Sequence, residues 1–281
     1  MSDGRLKLSR RWNIQGLAPQ RCQRIAALIS ATLIATGLAL FYPASAQVPH
    51  GVIADKKLVF SEPFTSLNIP KKWGWQTGAY EFCRTNPKYD KRDYLTTTSM
   101  SVANGVLTTT ATRRDAYYWN TGLLTTGDSC STGGNEFTLQ AGDFYVARVK
   151  LPTGNTGAWP GLWTWRNGDT EVDVFEWHSD NPHILEFSNH IREAGYYYED
   201  ADFAAPGNWV LVGVHLGENE NVWYVGHTLS RMRSIWNDSQ GIGKAQPYLI
   251  LNLSVGSSPL HAGPIGDEPV VFQTDYVRVY R

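Results

Sequence analysis

Beyond its first 46 residues, the 281-residue chain has no segment longer than a turn or two with helical periodicity. That absence points away from a helical architecture. No glycine-rich phosphate loop is present, and the seven histidines show no zinc-ligand spacing. Nucleotide-dependent and zinc-dependent chemistry therefore find no support in the sequence. Basic clusters are also missing after residue 46, which excludes nucleic acid and anionic membranes as natural partners. Cysteine is scarce, with three in the chain.

The first 46 residues differ from everything that follows. Arg5, Lys7, Arg10, Arg11, Arg21 and Arg24 precede an apolar run at 25–41 and then Ala44-Ser45-Ala46. This pattern predicts a secretory signal peptide over 1–46, cleaved before Gln47. The run is short for a stable transmembrane helix; an uncleaved anchor is the alternative. Removing the segment takes away six basic residues and one acid, so 47–281 carries a net charge of −6. Those 235 residues suffice for one domain with a large core and lead to a secreted, extracellular protein without lasting membrane association. Cys22 leaves with the signal. Cys83 and Cys130 remain in an oxidising compartment, where pairing is expected and two separate buried thiols are the alternative.

What the remainder does have is short alternating runs separated by many of its 26 glycines and 14 prolines. Strands are expected at 57–60, 106–112, 144–151, 184–191 and 248–254. Residues 209–216 and 222–225 form an expected antiparallel pair, and 270–280 is expected to close the sheet. The segment 73–94, rich in aromatics and charges with little period, predicts loops over one sheet. The 117–122 segment, Tyr-Tyr-Trp-Asn-Thr-Gly, fits either a stacking surface or core packing.

The stretch 159–190 concentrates the chemistry. Trp159-Pro-Gly-Leu-Trp163-Thr-Trp165 precedes Glu171-Val-Asp-Val-Phe-Glu176, three carboxylates in six residues. On a strand, Glu171 and Asp173 share a face, with the valines turned the other way. A regular strand would turn Glu176 into the core, where an unpaired carboxylate is costly. A one-residue β-bulge near Phe175 returns it to the acidic face. Two glutamates leaning together over Asp173 would suit a retaining glycosidase, one attacking the anomeric carbon and the other protonating the leaving oxygen. Nearby negative charge raises the pKa of the acid in the needed direction. A plain acidic strand facing water is the competing reading, and the neighbouring tryptophans favour sugar stacking instead.

Six pieces in order resemble glycoside hydrolase family 16, the laminarinase, agarase and carrageenase-like enzymes. They are Leu58-Val-Phe-Ser-Glu-Pro-Phe64, Ala147-Arg-Val-Lys-Leu-Pro152, Trp159-Pro-Gly-Leu-Trp163, the acidic strand, Pro247-Tyr-Leu-Ile-Leu-Asn-Leu-Ser-Val-Gly256 and Asp275-Tyr-Val-Arg-Val-Tyr280. The resemblance spans nearly all of 47–281 and implies one catalytic domain. Its expected fold is an all-β, concanavalin-like jelly-roll sandwich of two antiparallel sheets with a concave sugar cleft. It implies Glu171 as nucleophile, Asp173 as its helper and Glu176 as general acid/base, in the branch with the bulged strand. Trp159 and Trp163 match groove tryptophans, with Trp165 following on the same face. His190 matches a histidine beside the catalytic strand, where a structural histidine is the other reading, and Asn252 matches a position facing the cleft. Val146 stands where the family usually has a glutamate supporting the cleft. Relatives often hold one calcium on the convex face, through an aspartate where Asp275 stands and carbonyls near Glu62 and Gly105. Calcium there would be structural; the chemistry needs no cofactor.

The expected function is that of a secreted, monomeric, endo-acting retaining glycosidase on a β-linked polysaccharide, with β-1,3-glucan first and β-galactans next. A transglycosylase and a carbohydrate-binding protein without turnover are the other readings; a lectin has no use for a paired acid and nucleophile.

Overall fold

The computed structural model describes residues 53–127, 130–154, 157–168, 170–256 and 261–281. The expected signal segment at 1–46 lies outside the described residues. Among the described residues no helix is long and apolar enough to cross a membrane. Strands alternate with turns from end to end: β1 (Leu58–Glu62), β2 (Asp93–Leu95), β3 (Met100–Ala103), β4 (Val106–Arg113), β5 (Trp119–Thr121), β6 (Leu123–Thr125), β7 (Phe144–Lys150) and β8 (Ala158–Trp165). They continue with β9 (Val172–Trp177), β10 (Ile184–Asn189), β11 (Ala194–Glu199), β12 (Trp209–Leu216), β13 (Asn221–Gly226), β14 (Arg233–Asp238), β15 (Tyr248–Val255) and β16 (Val270–Tyr280). The absence of helical periodicity is thus realised as a β-sandwich of the jelly-roll kind.

One sheet runs β14-β13-β12-β7-β16-β4-β5-β2, with β1 on β16 and β3 on β4. The other runs β11-β10-β9-β8-β15-β6. Alternation assigns each strand's faces. Leu249, Leu251 and Leu253 of β15 enter the common core with Leu185 and Phe187 of β10, and Val212 and Val214 of β12 face them from the other sheet. Burying such side chains stabilises by roughly 1.5–3 kcal/mol each, so a one-residue slip that turned β15 over would be prohibitive.

Three expectations change. The final strand does not close an edge; β16 lies inside its sheet between β7 and β4. Its eleven residues are long enough to serve β4 with one half and β1 with the other. Val146 turns to a separate apolar cluster with Phe144, Leu211, Tyr224 and Met232, so its position supports packing rather than the acidic strand. The 117–122 segment divides between the two readings, with Trp119 fully buried and Tyr117 exposed.

Of the segment 73–94 expected as loops, 73–92 carries only a short 3-10 turn at Pro87–Tyr89, while Asp93 and Tyr94 open β2; a Cys83–Cys130 disulfide, Cα atoms 6.0 Å apart, staples the segment. It lies over the open face of the six-stranded sheet, where Tyr80 packs with Leu95, Leu123, Trp163 and Ile250.

Candidate active site

The bulge is present on the acidic strand. Against β10, Glu176 pairs with Glu186 and Asp173 with Ser188; against β8, Phe175 pairs with Leu162 and Asp173 with Trp163. β9 therefore carries one extra residue, between Asp173 and Phe175 against β8 and between Asp173 and Glu176 against β10. Val174 and Phe175 both turn into the core, and Glu176 returns to the face that carries Asp173. The Asp173 carbonyl accepts the Trp223 indole N–H at 2.8 Å from the opposite sheet. A donor delivered there from β13 meets the requirement that a buried carbonyl be paired. Sequence reasoning missed Trp223, because nothing local to β13 marks a partner 50 residues away.

On the open face, polar atoms of Glu171, Asp173 and His190 lie within 4.8 Å of one another. Glu171 stands just before β9, and its carbonyl accepts the His190 N–H at 3.1 Å, which ties the end of β9 to the turn after β10. Asp173 is buried, and its Oδ2 lies 3.1 Å from His190 Nε2. Burial opposes a charge on His190, but the Asp173 hydrogen bond and the charges of Asp173, Glu171 and Glu176 hold its pKa up at about 10. His190 is therefore cationic beside Asp173.

Both glutamates hold protons more firmly than usual. Burial first, then Asp173, raises Glu171 to about 7 and Glu176 to about 8. His190 and Lys91 favour the charged form of Glu171, whereas Glu176 is favoured as an anion by Lys91 and one indole N–H. The arrangement suits one ionised and one protonated carboxyl near neutral pH, with the proton on Glu176.

Trp159 and Trp163 each donate the indole N–H to a polar side chain. Trp159 donates its indole N–H to Glu176 Oε1 at 2.6 Å, while Lys91 Nζ sits 3.9 Å from its ring centroid and His178 packs beside it at 4.8 Å. With cation and imidazole against its ring, Trp159 orients Glu176. Trp163 is 6% exposed and donates to Asn252 Oδ1 at 2.8 Å, so it forms floor rather than platform. Asn252, also buried, donates to Ser254 Oγ at 2.8 Å. Ser254 Oγ and the Tyr80 hydroxyl both donate to Asp93 Oδ2, at 2.8 and 2.6 Å, and the Val255 N–H reaches Oδ1 at 2.7 Å. Burial raises the pKa of Asp93, and three donors satisfy it. This polar chain under Trp163 gave no local signal, since it joins residues more than 150 apart. Trp165 packs on the same cluster, half-buried, and keeps the more open ring. Gly161, opposite Glu176 on β8, leaves the space beside that carboxyl free; a Cβ there would lie 3.3 Å from Asn252 Oδ1.

The calcium expectation fits poorly. Asp275 Oδ2 accepts from Arg148 Nη1 at 2.8 Å, so a metal would share the carboxylate with a guanidinium. Hard cations favour oxygen sites without competing positive charge.

No family model matches the chain, and no curated protein matches it by sequence. Solved structures do match. An endo-β-1,3-glucanase from Pyrococcus furiosus is 19% identical, over 80% of this chain and 94% of that one, at a TM-score of 0.65. A β-1,3-1,4-glucanase (lichenase) derived from a mouse hindgut metagenome is 15% identical, over 78% and 97%, at 0.62. A non-specific endo-β-1,3(4)-glucanase from family GH16, SCLam, is 21% identical, over 81% and 92%, at 0.63. At these identities the likeness shows a shared fold, the β-sandwich of these glucanases.

Proposed function

We propose that the protein is a glycoside hydrolase of family 16, a retaining, endo-acting enzyme on a β-linked polysaccharide, with β-1,3-glucan as first substrate. The observation that carries the proposal is the bulge, which brings Glu171, Asp173 and Glu176 to one face while Trp159 holds Glu176. The similarity to glucanase structures supports the substrate class, and the names of those structures span both β-1,3 and mixed linkages. Residues 1–46 direct secretion, so the enzyme meets its substrate outside the cell.

In the first step Glu171 attacks the anomeric carbon and the bond to the leaving oxygen breaks. Glu176 gives that oxygen its proton. In the second step Glu176, now a carboxylate, takes a proton from water, and the water oxygen displaces Glu171 from carbon. Asp173, fixed by His190⁺, keeps negative charge between the glutamates and so favours the proton on Glu176.

Reducing-end release should be measured on laminarin, lichenan, agarose, carrageenan and galactan. Release from laminarin first is the expected result. Binding without release from any of the five would support the non-catalytic carbohydrate-binding reading instead.

A further inference from the structure

The β9–β10 ladder sets Glu186 directly opposite Glu176. Opposed residues on one sheet face have Cβ atoms roughly 5 Å apart, and two like charges there repel. The surroundings of the two glutamates differ. Glu186 is 8% exposed and its Oε1 receives no hydrogen bond, but His261 Nε2 stands 3.4 Å from that oxygen. His261 Nδ1 lies 3.2 Å from Asp180 Oδ1, and Asp180 Oδ2 accepts the Ala262 N–H at 2.7 Å. Burial opposes a charge on His261, yet Glu186 and Asp180 together raise its pKa above the ordinary value.

The His261 ring lies flat on His178, with centroids 3.5 Å apart and planes within 5°. Burial, with the neighbouring His261 charge, pushes His178 down to about 2, so it is neutral. His178 packs on Trp159, and Trp159 donates to Glu176. Contacts thus run in a closed circuit from Glu176 through Trp159, His178, His261 and Glu186 back to Glu176. Because the two imidazole planes are parallel, they cannot both aim a lone pair at one ion, and the His178, Asp180 and His261 group does not form a metal site.

We propose that Glu186, held by the His261–Asp180 pair, is a positioning residue for Glu176, making Glu176 the member of the opposed pair that carries the proton. Glu186 has the His261 imidazole 3.4 Å from its oxygen with Asp180 behind that ring, whereas Glu176, directly opposite, is held by the neutral indole of Trp159 and keeps a proton ready for the leaving group. The other charged groups around Glu176 are Asp173 on its own strand, His190 after β10 and Lys91 before β2, with Tyr197 of β11 beside Glu186. The proposal rests on the reading of Glu176 as acid/base.

The test is a titration of glutamate side-chain carbons by ¹³C NMR in the full chain, together with the pH dependence of kcat/KM. Glu186→Gln removes the opposed charge, so the Glu176 midpoint should fall by about one pH unit. The alkaline limb of kcat/KM should fall with it while KM holds, and Glu186→Asp should restore both. His261→Gln leaves β10 untouched and covers the case in which Glu186→Gln folds poorly. In that variant the imidazole that holds Glu186 opposite Glu176 is lost, so the Glu176 midpoint should move while KM holds. An unmoved midpoint in the folded variants, with or without a lower melting temperature, would overturn the proposal. Failure of the unmutated protein to hydrolyse any glycan would remove the glycosidase reading, yet the NMR midpoints would still decide this one.

Discussion

The two sheets handle charge in opposite ways. Around the ten-stranded sheet the buried and half-buried acids have dedicated partners: Asp143 takes two 2.8 Å contacts from Arg281, Asp275 takes one from Arg148, and Glu62 pairs with Lys72 at 3.0 Å. On the six-stranded sheet Glu171, Asp173, Glu176 and Glu186 crowd together, with His190, His261 and Lys91 as the cations acting on them. Matched pairs there would fix every carboxylate as an anion. Crowded acids with few, weakly placed cations leave protons mobile near neutral pH, which is what acid/base chemistry requires. Charge is matched in pairs on one sheet and crowded on the other, the arrangement the proposed acid/base role requires.

The largest effect should come from removing the reactive carboxylate. Glu171→Gln cannot form a covalent glycosyl-enzyme, so kcat should fall by at least ~1,000-fold, with oligosaccharide affinity by calorimetry held. Weakened binding with kcat intact would move Glu171 to the substrate contacts. The pH profile sharpens the same contrast. Below about 7 Glu171 gains a proton and no longer attacks; above about 8 Glu176 loses the one it must donate. A bell-shaped kcat/KM centred between these values is expected, and a flat profile across that range would contradict the crowded-acid account.

Smaller effects test the supports. Trp223→Phe leaves the Asp173 carbonyl without its donor and should cost about 1–3 kcal/mol in denaturant unfolding, with kcat falling more than KM rises. On the other sheet, Arg281→Met strands the buried Asp143. The arginine is itself about a third exposed, so the loss should be about 1–3 kcal/mol, below that for a fully buried pair. Arg148→Met breaks a pair exposed on both sides and should cost under about 1 kcal/mol. Neither arginine variant should alter kcat/KM, and a change there would erase the distinction between the sheets.

The bulge was legible because Glu-x-Asp-x-x-Glu on a strand leaves one carboxylate misplaced, and only an extra residue corrects it. The alternating leucines of β15 were legible for the same local reason. The setting of Trp159 was not legible, because sequence shows a tryptophan near acids but not the lysine, 68 residues earlier, that sits on its ring. Within the expected strand 184–191 nothing marks Glu186; that it opposes Glu176 depends on the register of two strands with a bulge between them. Its partner His261 comes from the far end of the chain, and Asp93 meets β15 in the same long-range way. Such contacts are set by the sandwich, after the local patterns have done their part.

The account turns on the division of labour between Glu171 and Glu176. With Glu176→Ala and an aryl β-glycoside whose leaving group needs no proton, Glu171 should still form the glycosyl-enzyme, and added azide should release it without a base. Proton NMR of the anomeric centre should then show a β-glycosyl azide. An α-glycosyl azide from that variant would exchange the two roles and contradict the assignment.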